Sequence, residues 1–193
     1  MNVTEVNEEV LFTRSPITKV SEQDIEYLKA KAAGNRRKKV RLCAHETPED
    51  TLHEMLIVQA KGAYVEPHKH SSGAELSLNL EGGLQVSKSG ESLHVIDGRL
   101  KVVVFYDAGD ILEVTNMGDY SSGDTFFYRI SDVYFHTVIP MSDVVVFHET
   151  TRGPFQPEKT VLAPWAPAGS DSELQARYLT RLAEQLTQFE GER

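Results

Sequence analysis

The chain is poor in several things, and each shortage removes a class of protein. It has a single cysteine, Cys43, in 193 residues, so no disulfide can form within it. No apolar run approaches the roughly 20 residues that cross a bilayer as a helix, so no membrane partner is expected. The opening residues Met1 to Val10 lack the basic and apolar blocks of a secretory signal, and a cytoplasmic, reducing compartment is the expectation. Positive charge is scarce as well. Lys and Arg number 20 against 29 Asp and Glu, a net charge of −9, and no basic face offsets it, which argues against nucleic acid. The one compact basic run, Arg36-Arg37-Lys38-Lys39, follows Gly34-Asn35. It reads as a solvated helix exit, with an anion contact as the alternative.

What is present suits one domain with a core of its own. Ser21 to Asp24 has the form of a capping box with Asp in place of Glu. Ile25, Leu28 and Ala32 follow at helical spacing, so a helix over about residues 22–33 is expected. From Val40 the texture changes to short apolar runs at close intervals: 41–44, 54–59, 93–96, 100–106, 111–115, 125–130, 134–139 and 144–148. Turn signals such as Asp97-Gly98 and Asp107-Ala-Gly-Asp110 separate them as polar hairpins. Many short strands joined this way indicate an all-β sandwich or barrel. Near the end, Leu174, Tyr178, Leu182 and Leu186 recur every four residues and mark an amphipathic helix that packs on the barrel or on a second subunit.

The most informative segment is Gly62-Ala-Tyr-Val-Glu-Pro-His68-Lys-His70. In an extended chain, side chains two apart share a face, so both imidazoles are presented to one point, as a metal site requires. A carboxylate ligand could come from Glu75, with four residues between it and His70, or from Glu91. Leu93 and Val95 share a face with Glu91, which suits a barrel interior. Ser77 and Asn79 share a face with Glu75 and would need buried hydrogen-bond partners. The facing argument favours Glu91 and leaves Glu75 open.

Gly62, His68 and His70 fit the first half of the first cupin motif, Gly-x5-His-x-His-x3–4-Glu-x6-Gly, and six residues separate Glu91 from Gly98 as they separate Glu75 from Gly82. From about Val40 to Pro167 the sequence resembles the WbuC-type cupin-fold metalloproteins of the RmlC-like superfamily. The matching stretches include Arg41-Leu-Cys-Ala-His45, Tyr64-Val-Glu-Pro-His68-Lys-His70, Glu91-Ser-Leu-His-Val-Ile-Asp-Gly98, His136-Thr-Val-Ile-Pro140, Ser142 to Glu149 and Ala163-Pro-Trp-Ala-Pro167. The resemblance implies a cupin double-stranded β-helix, a jelly-roll barrel with short helices at both ends. It implies one divalent metal ion (Zn, Fe, Ni, Mn, Co or Cu) on His68, His70, Glu91 and His136. Residues alone would make His136 an ordinary hydrogen-bonded barrel histidine.

The chain departs from the family in spacing: 20 residues separate His70 from Glu91 where the family has a few. Residues 71–88 therefore read as an inserted hairpin, which a barrel tolerates at little cost. The expected organisation is an arm and helix over 1–39, the barrel over 40–168 and the terminal helix over 169–193. A homodimer is the expected assembly.

Candidate groups for chemistry are His148, Glu149 and Tyr134. Of His148 and Glu149, which face opposite sides of one strand, only one can point into the pocket. Arg129, Tyr64 and Tyr128 are candidate substrate contacts, Arg129 because its planar fork suits a carboxylate or phosphate. The plainer alternative for the tyrosines is a core ring with a bonded hydroxyl. His94, His45 and His53 read as structural, Cys43 as a small core residue and Trp165 as a packing anchor. Three functions fit such a set. One is a metal-dependent enzyme on a small polar molecule, with a sugar or sugar nucleotide of surface-polysaccharide metabolism implied by the resemblance. The others are a non-catalytic sugar-binding or sensing module and an iron-dependent dioxygenase.

Overall fold

A computed structural model describes residues 1–70 and 90–192, together with two short strands in the segment between. In chain order the elements are β1 (Val3–Glu5), β2 (Val10–Thr13), α1 (Glu22–Gly34), β3 (Lys39–Cys43), β4 (Leu52–Ala60), β5 (His68–His70), β6 (Leu76–Leu78) and β7 (Leu84–Val86). They continue with β8 (Glu91–Asp97), β9 (Arg99–Phe105), β10 (Ile111–Gly118), β11 (Phe127–Ile130), β12 (Phe135–Pro140), β13 (Val144–Arg152), β14 (Thr160–Leu162) and α2 (Ser172–Gly191).

Two sheets carry the fold. One runs β1-β2-β3-β4-β13-β8-β11 and the other β10-β9-β12-β5-β14, while β6 pairs with β7. Among the described strands all pairings are antiparallel except β2 with β3. Consecutive strands repeatedly change sheets, as in a jelly roll, and the expected cupin class is the one observed. Apolar residues at alternate positions of both sheets meet in the interior: Leu93 and Val95 from β8, Leu100, Val102 and Val104 from β9, and Val145 and Phe147 from β13. Burying each such side chain contributes roughly 1.5–3 kcal/mol.

Each sheet has a helix on its outer face. Leu28 and Ala32 of α1 pack on Val40, Leu42 and Val58 of the larger sheet. The helix begins at the expected capping box, in which the Ser21 hydroxyl accepts from the Asp24 N–H and the Asp24 carboxylate accepts from the Ser21 N–H. Tyr178, Leu182 and Leu186 of α2 pack on Val103, Phe105 and Phe135 of the smaller sheet. The apolar stripe of α2 is thus used within the chain, except for Leu174, which is half exposed. Neither helix is long and apolar enough to cross a membrane.

The eight apolar runs read from sequence are all strands. Two readings change. Strands β1, β2 and β14 escaped notice because three or four residues carry too little periodicity. Asp97-Gly98 does not close a hairpin: β8 and β9 lie in different sheets, so the turn is a corner between them. Gly98 has φ +82, and a Cβ there would meet the Val144 carbonyl oxygen at 2.5 Å, so the corner needs glycine. Asp107 to Asp110 does close a hairpin, between β9 and β10, with the Trp165 ring over Gly109 and its indole N–H on the Asp107 carbonyl. Part of the proposed 71–88 hairpin is seen as the β6–β7 pairing, Leu76 with Val86 and Leu78 with Leu84. Glu75 and Gly82 lie outside the described residues.

Candidate metal centre

Four side chains from three strands converge at one end of the interior. Strand β5 is paired on one side with β12, His68 opposite His136, and on the other with β14. Its extended backbone turns His68 and His70 to the same side, as their spacing requires. Glu91, the first residue of β8, comes from the facing sheet. One donor nitrogen of each of His68, His70 and His136 lies within 4.8 Å of the other two. The Glu91 carboxylate reaches both sides of this cluster, with Oε2 3.2 Å from His70 Nε2 and Oε1 2.8 Å from His136 Nε2. Donors about 2.1 Å from a shared ion stand roughly 3–4 Å apart, so the cluster is at the outer edge of a coordination sphere.

Two backbone carbonyls set the rings. The Nδ1 of His68 is 2.8 Å from the Glu66 carbonyl and the Nδ1 of His136 is 3.0 Å from the Tyr134 carbonyl. Each carbonyl accepts from Nδ1–H, which leaves Nε2 as the free lone pair, the usual arrangement behind a metal-bound histidine. The Nε2 of His136 is buried, 2.8 Å from Glu91 Oε1, and makes no aligned hydrogen bond among the described residues. With Nδ1–H given to the Tyr134 carbonyl, its lone pair faces a carboxylate oxygen, and an ion among the three rings and Glu91 would satisfy both, so the residues fit a metal.

The charges of the cluster without an ion follow from the same neighbours. Burial, then the neighbouring His136, pushes His68 down to about 4, so its ring is neutral at pH 7. Burial pushes the Glu91 carboxyl up, but His136 and His70 outweigh it and hold Glu91 well below the usual carboxylate range. Burial lowers His136 too, and there Glu91 wins and raises it.

The cluster stands at the partition between two chambers. A basic chamber of about 240 Å³ is reached by His136 and Glu91, together with Lys39, Arg41 and Gln59. An apolar chamber of about 530 Å³ is reached by His70 and walled by Phe12, Met55, Phe155 and Leu162. His68, Arg41 and Glu149 line both. Burial and the charge of Glu91 push Glu149 up to about 8, and it has no hydrogen bond or ion pair among the described residues.

The other sequence candidates fall elsewhere, for reasons of strand parity. His148 alternates with Phe147 and Glu149 on β13, so it faces outward, where it is ion-paired with Glu54. Of that pair, Glu149 is the one in the cavities. Tyr134 is partly exposed and lines neither chamber; its carbonyl serves His136 while its ring stays outside. Arg129 lies on the outer face between inward-facing Tyr128 and Ile130, bonded to Ser131 and Ser92. Tyr64 packs on Tyr178 beneath α2 and donates to the Pro167 carbonyl. Tyr128 packs in the interior core, where burial and then Glu113 raise its hydroxyl to about 12, and it lines neither chamber. His45 and His53 stack at 4.1 Å on the apolar chamber wall, each held to a backbone carbonyl. Cys43 is buried there, its thiol pushed up to about 11 by burial.

Arg41 and Gln59 were missed. Arg41 alternates with buried Val40 and Leu42, which placed it on the inner face, and a charged residue on that face was the available signal.

Residues 20–88 match a family described as a domain of unknown function, DUF6016, which covers less than half of the chain. No curated protein matches. Among solved structures, the chain is similar to the cupin domain of Cnp3 from Schizosaccharomyces pombe, with 12% identity, TM-score 0.40, and 61% of this chain and 63% of that one covered. It is similar to an oxalate oxidase in complex with glycolate, at 13% and 0.45 over 72% and 61%. It is also similar to a mutant oxalate decarboxylase from Bacillus subtilis, at 17% and 0.43 over 64% and 27%. The chain thus spans less than two thirds of each of these proteins. The likenesses concern the path of the chain and say nothing of what the site holds.

Proposed function

We propose that the protein is a metal-dependent enzyme acting on a small molecule, with one divalent ion held by His68, His70, Glu91 and His136. The observation that carries this reading is the clustering of three histidine donors within 4.8 Å of one another, with the buried Glu91 carboxylate against two of them. A bound ion supplies Lewis acidity at the partition between the chambers, where a ligand can reach it. The chain's own residues do the rest. The Glu66 and Tyr134 carbonyls orient the two rings, Arg41 faces the arriving ligand, and Glu149 holds a proton next to the cluster that it can give or take. The jelly-roll interior keeps bulk water from most of the site.

A second reading, a module that binds its ligand without turning it over, is favoured by one placement. His148 and Tyr134 lie outside the chambers, leaving Glu149 without an obvious proton-transfer partner. A sugar or sugar nucleotide, and the WbuC-type family itself, rest on the resemblance in sequence; the apolar wall of Phe12, Met55, Phe155 and Leu162 does not favour a sugar. Homodimer formation rests on the same ground and would need a surface other than the covered stripe of α2.

The test is elemental analysis of gently purified protein beside His136→Ala, Glu91→Ala and Glu75→Ala. The reading expects close to one ion per wild-type chain, loss in the first two variants and retention in the third. Retention of the ion by Glu91→Ala with loss in Glu75→Ala overturns the ligand set. Oxygen uptake by iron-loaded protein with substrate would single out a dioxygenase, and thermal stabilisation by a ligand without product would single out the binding module.

A further inference from the structure

We propose that the ligand of this site is a small amphipathic acid, its anionic head against Arg41 beside the histidine cluster and its aromatic or branched apolar body in the adjoining apolar chamber. The inference rests on the metal site proposed above and names the substrate class that site takes. It stands on three independent features of the cavities.

The first is Arg41. Arg41 is an exposed residue that lines both chambers, and its side chain makes no hydrogen bond or ion pair among the described residues. The other cations at the basic chamber are engaged: Arg37 pairs with Glu9 at 3.2 Å, and Lys39 donates to the Tyr64 carbonyl at 3.2 Å. An arginine left unpaired at the junction of two cavities is a ready fork for a carboxylate, which it can meet with two parallel hydrogen bonds. An ion on the cluster adds positive charge on the same side, so an anion is favoured over a neutral head.

The second feature is Gln59. It is 3% exposed and its Oε1 has no partner among the described residues. It lines the basic chamber together with Arg41 and the cluster. A buried acceptor of this kind calls for a donor, which a hydroxyl or an N–H on the head of the ligand provides. The chamber of about 240 Å³ holds roughly eight waters at about 30 Å³ each. That is room for a head group.

The third is the apolar chamber. Its volume, about 530 Å³, and its wall of Phe12, Met55, Phe155 and Leu162 suit a hydrocarbon body. Phe155 and Leu162 are each about half exposed, at 55% and 51%. Such side chains gain from being covered, at about 25 cal/mol per Å² of apolar surface. Because Arg41, His68 and Glu149 line both chambers, one molecule can occupy the two at once with its polar end at the cluster.

The experiment uses the full chain loaded with its metal and a matched set of probes: phenylacetate, 4-methylvalerate, phenylacetamide and gluconate. Binding is read by calorimetry, with metal content measured on the same samples. The two apolar acids are expected to bind at least tenfold more tightly than the uncharged amide and than the polyhydroxylated acid. Arg41→Leu should abolish the preference for acid over amide. Leu162→Asp should remove the preference for apolar bodies and leave the metal content unchanged. Gluconate binding as well as phenylacetate, or the amide as well as the acid, overturns the proposal whether or not the variants fold. If the purified chain holds no metal and the apolar acids still bind through Arg41, the metal reading fails and the substrate class stands. If metal is present and none of the acids binds, the substrate class fails and the metal reading stands.

Discussion

The interior of the jelly roll has a filled half and a hollow half, and the same strands build both. On β13 the inward residues run from Val145 and Phe147 to Glu149 and Thr151; on β8 they run from Val95 and Leu93 to Glu91; on β12 from Val138 to His136. At the filled end Leu100, Val102 and Met117 are within a few per cent of complete burial. At the hollow end lie His136 Nε2 against the Glu91 carboxylate, a Gln59 Oε1 without a partner among the described residues and the raised carboxyl of Glu149. A chain selected for stability alone would have carried the aliphatic pattern through. On the proposed reading stability resides at one end and the functional site at the other, a division that substitutions can test.

The largest effect is expected at the filled end. Leu100→Ala removes a fully buried side chain from the tightly packed half and should cost about 2–5 kcal/mol of unfolding free energy in urea. The metal content of the folded fraction should not change. A cost below about 1 kcal/mol would show that this half is not where stability resides. Next comes the cluster. Metal at 100 times its Kd should stabilise the wild type by about 2.7 kcal/mol, and His136→Ala should show no such gain in the same urea titration. Its affinity should fall by more than the ~10–100-fold that loss of a supporting residue costs.

Much of this division can be read in the order of residues. Alternation placed Glu91 beside Leu93 and Val95 on the inner face, and the two-residue spacing placed His68 with His70. The four-residue period of α2 marked the side that packs. Parity would also have turned Arg129 outward once Ile130 was taken as core. Other features depend on partners far along the chain. A turn signal such as Asp97-Gly98 does not tell whether the strands it joins pair with each other, and these two enter opposite sheets. Nor does an arginine in a strand announce that it will be left unpaired; Arg41 became visible only when β3, β4 and β13 were assembled around a cavity.

A smaller effect separates the halves by pH. In metal-free protein the Glu149 carboxyl is raised from 4.5 to about 8 by burial and by Glu91. The native state therefore holds a proton that the unfolded chain has released, so this group's stabilisation is full below 4.5 and is lost as the pH rises through 8. Glu149→Gln should flatten that decline. The comparison belongs between pH 6.5 and 9, where His68, pushed down to about 4, is neutral in the folded protein and its titration in the unfolded chain is common to both proteins. Urea midpoints of the two proteins should lie closer at the acid end of the range than at the alkaline end, the variant being the more stable there. Parallel curves would mean that Glu149 is ionised in the folded protein.

The smallest expected change is a gain. Gln59→Met keeps the length of the side chain and removes a buried acceptor that has no partner among the described residues. An unsatisfied group of this kind costs about 1–3 kcal/mol, and an apolar replacement of similar shape gives back part of that. We expect the unliganded variant to be more stable by about 1 kcal/mol in urea. An equivalent swap at the filled end, Leu100→Met, should be neutral or cost up to about 1.5 kcal/mol, because a satisfied packing position has nothing to recover. Opposite signs at the two positions would establish that the hollow half is held at the expense of stability. A loss at Gln59 as large as the loss at Leu100 would show that its amide is satisfied in solution, and that the two halves are packed alike.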